Sequence, residues 1–441
     1  MSKKIWQKNP IKNSSLVEKV EKFTVGNDKI FDAFLAKADV IGSLAHTQML
    51  YEVGLLSTED WRAIEKELHH ILKEIETGQF VYDPNAEDIH SHIEAVLTER
   101  IGEAGKKIHS GRSRNDQILL DLKLYFADSL KEITDRVQQL FDLLMELSFR
   151  HKQDLLPGYT HFQQAMPSSF GLWFGAYAES LSDDTEFLQS IYQLIHRNPL
   201  GSAAGYGSSF PLDRKRTTEI LGMSDLHYNV VYAQMTRGKT EKWMAMILSQ
   251  FASTLSKLAY DACLYMNQQF AFIKFPDELT TGSSIMPHKK NPDVFELIRA
   301  RCSRIISVPN ELALLTHHLP SGYHRDFQLT KDCLFPAIES LKDCIEMMTL
   351  MMQHIEIRKN ILDDTNFNTL FSVEEVNRLT LEGIPFRDAY KIIGQRIEKN
   401  EFIPDKNIEH THLGSMGKLC LEEIKNRFYS TLHKVKYKQA L

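Results

Sequence analysis

Residues 282–292, with the sequence GSSIMPHKKNP, place two hydroxyl groups, a histidine and two lysines within one short segment. A run rich in glycine, serine and proline is by default a solvated surface loop. The same residue types also suit a mobile loop of an active site, since small residues permit movement and lysines stabilise negative charge. These residues alone leave both interpretations open.

The segment HSGRSRNDQ, residues 109–117, offers a second kind of chemistry. Arg112 and Arg114 carry planar guanidinium groups, which bind carboxylates with two parallel hydrogen bonds. Ser113 and Asn115 could instead cap the helix that follows, and the two roles are compatible. We therefore expect an anion-binding segment at the start of a helix.

Two further polar clusters contain histidines. In GYTHFQQAMP, residues 158–167, His161 is the natural candidate for acid–base chemistry, although a lone histidine often has a structural role. In EDIHSHIE, residues 87–94, His90 and His92 are two positions apart and would not share one face of a helix. A metal site at this pair is therefore not expected.

Long helices must position these clusters. No glycine or proline occurs between Arg112 and Leu156, and Pro157 and Gly158 are expected to end the helix there. Apolar residues recur at steps of three and four and form one stripe, at Leu119, Leu122, Phe126, Leu130, Ile133, Val137, Leu140, Leu144 and Leu147. A second unbroken run, residues 239–275, is apolar around most of its circumference, which is typical of a helix inside a bundle.

The whole chain is predicted to be all-α, because alternating β-type patterns are scarce and residues 269–275 (QFAFIKF) are the best candidate strand. Three parts are expected: an N-terminal helical domain at 1–110, a central long-helix bundle at 111–355 carrying the 282–292 loop, and a small C-terminal helical domain at 356–441.

The lengths of the helices predict an oligomer. Such helices exceed the thickness of one domain, so their exposed stripes need partners, and a homotetramer with dihedral symmetry would cover them. Residues 109–117 and 158–167 flank the longest helix and should lie about 50 Å or more apart. Antiparallel packing of subunits could bring them together, which predicts a site shared between subunits.

Composition excludes several classes of protein. The 441 residues are 43% hydrophobic and 25% charged, as in an ordinary globular protein, and the net charge of −6 gives no case for a nucleic-acid or membrane partner. No apolar stretch resembles a signal peptide or a membrane span. The five cysteines show no metal-binding spacing and are expected to be free thiols in a reducing cytoplasm.

At these clusters the sequence resembles the fumarase/aspartase superfamily. Residues 282–292 match its pattern Ser-Ser-x-Met-Pro-x-Lys-x-Asn. Residues 111–117 (GRSRNDQ), 158–167 and 383–390 (GIPFRDAY) resemble the argininosuccinate lyase branch, as do residues 322–332 (GYHRDFQLTKD). The resemblance covers nearly the whole chain and favours the active-site interpretation of the loop.

The resemblance implies a carbon–nitrogen lyase of arginine biosynthesis, a homotetramer that splits argininosuccinate reversibly into arginine and fumarate without a metal or organic cofactor. By motif position, Ser283 resembles the general base, Lys289 the group that stabilises the carbanion, and His161 with Glu296 the acid side. The remaining site residues resemble substrate contacts: Asp28, Asp32, His90, Ser113, Arg114, Asn115, Thr160, Asn291, Tyr323, Gln328 and Lys331.

Some positions depart from the family pattern. Asp28 stands near the place of a serine that helps to hold the amino-acid end of the substrate, and Gly238 replaces a usual aspartate. Asp28 and Asp32 are four residues apart and would face the same way on a helix, where they could contact a cationic group. The alternative for Asp28 is a helix cap.

Two other functions remain open at this point. One is a sister lyase acting on another fumarate-releasing substrate, such as adenylosuccinate, although no additional basic phosphate-binding cluster is visible. The other is a non-catalytic, crystallin-like structural protein with the same fold. The presence of Ser283, His161, Lys289 and Glu296 together argues against a purely structural role.

Overall fold

A computed structural model describes residues 14–83 and 86–434, and helices dominate it, which confirms the all-α prediction. The α-helices are α1 Ser14–Val25, α2 Asp28–Asp32, α3 Ala36–Glu52, α4 Thr58–Glu76, α5 Ile89–Ile101, α6 Arg114–Arg150, α7 Phe170–Ile195, α8 Arg214–Ile220, α9 Val230–Met235, α10 Lys239–Met266, α11 Asp293–Thr316, α12 Thr330–Gln353, α13 Ser372–Leu381, α14 Phe386–Glu398 and α15 Leu421–Lys434. Short 3₁₀ helices connect several of them, at Ala33–Leu35, Gly102–His109, Asp277–Leu279, Arg325–Leu329, Ile361–Asp363 and Thr365–Phe371.

Five long helices, α6, α7, α10, α11 and α12, form a bundle. Helix α6 packs against α7 and α12, and α10 packs against α7, α11 and α12. The apolar stripe expected from the sequence faces this core, since Leu130, Leu140 and Leu144 are completely buried. Burial of such a stripe, rather than intrinsic propensity, supplies most of the stability of helices this long.

Helix α6 sets the length of the bundle. Its 37 residues span about 55 Å at ~1.5 Å per residue. It begins after Ser113, as expected, but it ends at Arg150 rather than at Pro157, so the expected stop was wrong. The residues that follow enter a β-hairpin, in which the prolines and glycine lie within strands.

Consecutive long helices run antiparallel and define two ends of the bundle. At the end that we call proximal, Nζ of Lys123 in early α6 donates to the carbonyl of Ile195, which closes α7, and to Thr240, which opens α10. At the opposite, distal end, the ring of Tyr159 in the hairpin stacks on Phe270, just beyond α10, with ring centroids 5.3 Å apart.

The strands are short: β1 Leu155–Thr160, β2 Gln163–Ser169, β3 Arg197–Asn198, β4 Asp225–Leu226, β5 Ile273–Lys274 and β6 Glu356–Ile357. The antiparallel pair β1–β2 is the distal hairpin and contains a bulge. Of the expected strand at 269–275, only Ile273–Lys274 pairs, with Glu356–Ile357 after α12.

The remaining helices surround the bundle. The main hydrophobic core is continuous from Leu35 to Phe428, and the ring of Phe428 in α15 stacks on Phe141 of α6 at a centroid distance of 3.8 Å. Helices α13 and α14 add a separate small core. The division into three domains stays a prediction. No helix of the described residues is long and apolar enough to cross a membrane.

Candidate active site

The loop at 282–292 lies at the distal end, between the 3₁₀ helix Asp277–Leu279 and α11. Its base is closed by a bridge in which the backbone N–H of Asn291 donates to the carbonyl of Thr281 at 2.8 Å. Lys290 forms an ion pair with Asp277 at the same base. The middle of the loop is exposed, and the side chain of Ile285 is 82% accessible. The loop is therefore anchored at both ends and open in between.

Ser283 sits within this loop in a setting that favours negative charge on its oxygen. Its Oγ accepts hydrogen bonds from the backbone N–H groups of Ile285 at 3.3 Å and Met286 at 3.1 Å. Fixed N–H donors lower the cost of an oxyanion, which is what a serine needs in order to accept a proton. The loop thus supplies the kind of donors that a basic serine requires.

Three further candidates lie near the distal end with exposed side chains. Lys289 belongs to the same loop, and Glu296 is in the first turn of α11. His161 occupies the tip of the hairpin with a φ of +53° and follows Thr160, the last residue of β1. Within the described residues, His161 and Glu296 form no hydrogen bond or ion pair with each other. The three side chains are therefore exposed in one chain and accessible to another surface.

At the proximal end, Ser113 caps α6. Its Oγ accepts from the backbone N–H of Asn115 at 3.3 Å, and the carboxylate of Asp116 accepts from the N–H of Ser113 at 2.9 Å. Asp116 also accepts from the N–H groups of Gly201 and Ala203, at 3.0 and 2.8 Å. Burial raises the pKa of Asp116 to about 6 despite these donors. The capping role expected for Ser113 is present, and Asp116, which the sequence analysis missed, anchors the turn.

Arg114 is held in place by acidic neighbours. Its Nη1 lies 3.1 Å from both Glu87 and Asp88, and its Nη2 donates to Oγ of Ser91 at 2.8 Å. The guanidinium remains about one-third exposed. It is therefore pre-oriented while part of it can still meet a ligand.

His90 is buried next to two carboxylates that the sequence analysis did not single out. Its Nδ1 lies 2.9 Å from Asp39 and 3.5 Å from Asp121. Burial works to lower the pKa of His90, but the two carboxylates outweigh it and raise the pKa to about 9. His90 thus carries a positive charge near neutral pH and lines a small cleft together with Arg112 and Arg114.

The Asp39, His90 and Asp121 side chains also have a spacing that a metal ion could span, with three ligand atoms within 4.8 Å of one another. A charged histidine between two carboxylates accounts for the same geometry. The signal missed in the sequence was Asp39, which lies directly before the apolar residues Val40 and Ile41 of α3, where a buried carboxylate requires a partner.

A second charged cluster joins α2 to α12. Nζ of Lys331 lies 2.5 Å from Oδ1 of Asp28 and 2.6 Å from Oδ1 of Asp32. Asp28 is the first residue of α2 and makes no cap, since the residue at the cap position is Asn27 and it too makes no side-chain cap bond. The capping alternative for Asp28 is therefore wrong.

The segment that leads into Lys331 is also fixed. Nε2 of Gln328 donates to the carbonyls of Thr24 and Val25, both at 3.0 Å. Nη2 of Arg237 donates to the carbonyl of Phe327 at 3.1 Å. Tyr323 remains 40% exposed at the start of this segment.

The candidate residues therefore form two groups at opposite ends of the bundle. The distal group comprises Thr160, His161, Ser283, Lys289, Asn291 and Glu296. The proximal group comprises Asp28, Asp32, His90, Ser113, Arg114, Asn115, Tyr323, Gln328 and Lys331. The length of α6, about 55 Å, separates them within one chain.

Known proteins are similar to this sequence over nearly its full length. The profile of a protein family described as Lyase matches residues 18–307. The chain is 55% identical over 424 residues to an argininosuccinate lyase of Bacteroides fragilis, which covers 96% of this chain and 94% of the relative. The chain belongs to the argininosuccinate lyase family. An argininosuccinate lyase of Parabacteroides distasonis is 54% identical over the same shares of both chains.

Solved structures support the fold. A lyase described as EDDS lyase in complex with formate superposes with a TM-score of 0.74 at 20% identity, covering 97% of this chain and 91% of that chain. At this identity the likeness concerns the arrangement of helices alone. The helices of this chain therefore have the same overall arrangement as those of that lyase.

Proposed function

We propose that this protein cleaves argininosuccinate reversibly into arginine and fumarate, as a carbon–nitrogen lyase of arginine biosynthesis. The observation that carries the proposal is that the Oγ of Ser283 accepts hydrogen bonds from two backbone N–H groups of the 282–292 loop. The chain that contains this loop is more than half identical to argininosuccinate lyases. We expect the reaction to need no metal or organic cofactor, because side chains and backbone donors supply its acid, base and charge stabilisation.

The proposed reaction is a β-elimination. Ser283 accepts a proton from the carbon beside a carboxylate of the succinyl group. The electron pair of that C–H bond stays on the carbon and is delocalised onto this carboxylate. Lys289 and Asn291 stabilise the charge where it develops. The carbon–nitrogen bond then breaks, a double bond forms, and the guanidino nitrogen leaves with the bonding pair and receives a proton on the side of His161. Glu296 is assigned to the same acid side of the proposed reaction.

The active site is proposed to form between subunits. A small substrate cannot bridge two groups that lie about 55 Å apart in one chain, and His161 and Glu296 of one chain do not pair. The outer face of the bundle carries exposed apolar side chains, at Met246 and Tyr260 on α10 and at Leu297, Ile306 and Leu314 on α11. Such a surface is typical of an interface. A homotetramer with antiparallel bundles would cover it and bring proximal and distal groups together.

We propose that the enzyme acts in the cytoplasm on a small-molecule substrate, without a nucleic-acid or membrane partner. Adenylosuccinate, aspartate and malate are the substrates of the sister reactions that the sequence left open.

One experiment separates these functions. The purified protein is incubated with each of the four substrates while fumarate absorbance is followed. Release from argininosuccinate, together with arginine in equal amount, supports the proposal. Release only from another substrate assigns a sister lyase, and no release from any of them indicates a structural homologue.

A further inference from the structure

Tyr206 stands at the apex of a tight turn in the loop that leads from β3 to α8. The backbone N–H groups of Gly205 and Gly207 both donate to the carbonyl of Ser202, at 2.9 and 3.1 Å. Gly205 and Gly207 have φ values of +104° and +80°, which favour glycine and allow the chain to reverse sharply on both sides of the tyrosine. The turn therefore presents Tyr206 from a fixed backbone.

Two side chains hold this turn against the proximal group. The carboxylate of Asp116 accepts from the backbone N–H groups of Gly201 at 3.0 Å and Ala203 at 2.8 Å. The same carboxylate accepts from the N–H of Ser113, which belongs to the proximal group. On the other side, Nε2 of Gln234 in α9 donates to the carbonyl of Ala203 at 3.3 Å. A single carboxylate thus ties the turn to the start of α6.

The hydroxyl group of Tyr206 lies beside a second part of the proximal group. A β-carbon added to Gly322 would lie 3.8 Å from the hydroxyl oxygen of Tyr206. Gly322 directly precedes Tyr323, which is 40% exposed and belongs to the proximal group. The turn that carries Tyr206 therefore meets the proximal group twice, at the start of α6 and at residues 322–331.

The fold itself makes little use of this aromatic side chain. Tyr206 is 75% exposed, and its hydroxyl group forms no hydrogen bond with any residue of the ranges 14–83 and 86–434. A tyrosine has only two side-chain torsions, so on a fixed backbone it loses little conformational entropy when it contacts a ligand. An exposed aromatic ring on a fixed turn is therefore suited to recognition.

The chemistry of the ring selects one part of the proposed substrate. The carboxylates and the α-ammonium group of argininosuccinate are charges that need charged or hydrogen-bonding partners. The guanidino group is planar and, when it carries a positive charge, weakly hydrated, and it stacks on the electron-rich face of an aromatic ring. Of the parts of the substrate, the guanidino group is therefore the one that the ring of Tyr206 fits.

We propose that Tyr206 is a further specificity-determining residue, whose ring stacks on the guanidino group of the substrate and of the product arginine. This inference deepens the proposed function and rests on it. Tyr206 lies outside the motifs of the sequence and outside the ion pairs of the proximal group. Because the guanidino group is present before and after the carbon–nitrogen bond breaks, we expect the contact to affect KM more than kcat.

L-Citrulline tests this contact, because it differs from L-arginine only in a neutral ureido group in place of the guanidinium. The affinities of the intact protein for both compounds are measured by calorimetry. Tyr206→Ala should weaken the binding of arginine about 5- to 30-fold, the range of a cation–π contact, and that of citrulline less than about threefold. Tyr206→Phe keeps the ring and should stay within about threefold of the wild type for arginine.

A second exposed tyrosine provides the matched control. Tyr228 is 71% exposed on a neighbouring loop and lies outside the proximal group, and its backbone carbonyl accepts from Nη1 of Arg214. Tyr228→Ala removes as large an exposed ring and should keep the wild-type affinity for arginine. Tyr206→Leu, which keeps much of the apolar bulk but lacks the ring, takes the place of the alanine variant if that variant does not fold.

Several results would overturn the inference. These are an affinity for arginine within about threefold of the wild type in Tyr206→Ala, an equal loss for arginine and citrulline, and a loss in Tyr206→Phe as large as that in Tyr206→Ala. If citrulline binds too weakly to measure, the arginine affinities of the alanine and phenylalanine variants decide. Absence of arginine binding by the wild type also overturns the inference.

Two further measurements separate this inference from its alternatives. Light scattering gives the oligomeric state, and smaller oligomers in Tyr206→Ala with an unchanged affinity for arginine would assign the ring to a subunit interface instead. Fumarate release from argininosuccinate is measured separately. Its absence in the wild type would reject the proposed function, whereas the arginine affinities of the variants would still be read.

Discussion

Gly238 packs against Phe327 so closely that a β-carbon added to the glycine would lie 2.8 Å from Cε1 of the phenylalanine. Gly238 also has a φ of +75°, which side chains rarely adopt, and its N–H donates to Glu241 at 2.7 Å. The aspartate that the family usually has at this position does not fit here without movement of the segment that carries Phe327.

Gly238→Ala is therefore expected to lower the free energy of unfolding by about 2–4 kcal/mol, since backbone strain and overpacking add. Gly54→Ala is the matched control, because Gly54 has a φ of +81° and nothing within 4 Å of the added atom. It should lose only about 1 kcal/mol, the share due to strain. Chemical denaturation measures both. Equal losses would show that contact with Phe327 is unimportant.

Ser283→Ala should lower kcat at least about 1000-fold while the melting temperature stays close to that of the wild type, because it deletes the proposed proton acceptor from an exposed loop. Ser284→Ala, at the next position, is the control and should retain activity within about tenfold. Steady-state kinetics of fumarate release measure kcat for both variants. A loss in Ser284→Ala with activity retained in Ser283→Ala would move the basic role to Ser284.

Mixing two inactive variants tests the shared site. When Arg114→Ala and Ser283→Ala subunits exchange at random, about a quarter of the sites should receive an intact proximal group from one chain and an intact distal group from another. Activity should recover to about that fraction.

The control for this experiment mixes Arg114→Ala with Asn115→Ala. Both changes lie in the proximal group, so every site retains one defect and activity should stay at background. Exchange is verified by mass spectrometry of differently labelled subunits. If exchange occurs and the first mixture remains inactive, the site does not combine the two ends of different chains.

His90 should make stability depend on pH. The pKa of His90 is raised from 6.5 to about 9 in the folded protein. The stabilisation that the charged His90 gives to the folded state is therefore fully present below about pH 6.5, and it is lost as the pH rises through 9. The contribution of His90 to the free energy of unfolding is on the order of 3 kcal/mol, because raising a pKa from 6.5 to about 9 is worth ~1.36 kcal/mol for each tenfold change in proton affinity.

The measurement is the difference between wild type and His90→Gln across pH 6–10. The two proteins are compared because a second group also makes stability depend on pH. Burial lowers the pKa of Lys123 to about 7, so Lys123 makes the stability of both proteins increase with pH, opposite to the effect of His90. The stability advantage of the wild type should shrink as the pH rises. His92→Gln, on the same helix, should follow the wild type. A constant difference across this range would mean that His90 does not titrate as proposed.

Much of the fold could be predicted from the sequence because it follows from local pattern. The apolar stripe of α6, from Leu119 to Leu147, repeats over about eight turns, and Ser113 could be identified as a possible cap at its start. The hairpin at 155–169 escaped prediction because Pro157, Gly158 and Pro167 are typical of a loop, and the strands have low β-propensity. Tertiary contacts, such as the stacking of Tyr159 on Phe270, hold it instead.

The candidate site also has a part that could be predicted from the sequence and a part that could not. Loop residues such as Ser283 and Asn291 could be identified because their chemistry lies in one contiguous segment. The partners of Asp28 and His90 could not, since Lys331 is 303 positions away from Asp28 and Asp39 is 51 positions away from His90. No local signal specifies which distant charge a buried carboxylate will meet, so these pairs emerge only from the packing of α2, α3, α5 and α12.

The hydrogen bonds to Ser283 come from residues two and three positions further along the same turn. Because they belong to one turn, we expect the oxygen and its donors to move together when the loop shifts. Closure over a ligand would change how far the oxygen lies from the reacting carbon, but not how readily it accepts a proton. A more viscous solvent should then slow the approach of the loop without altering the intrinsic basicity of the group that it carries.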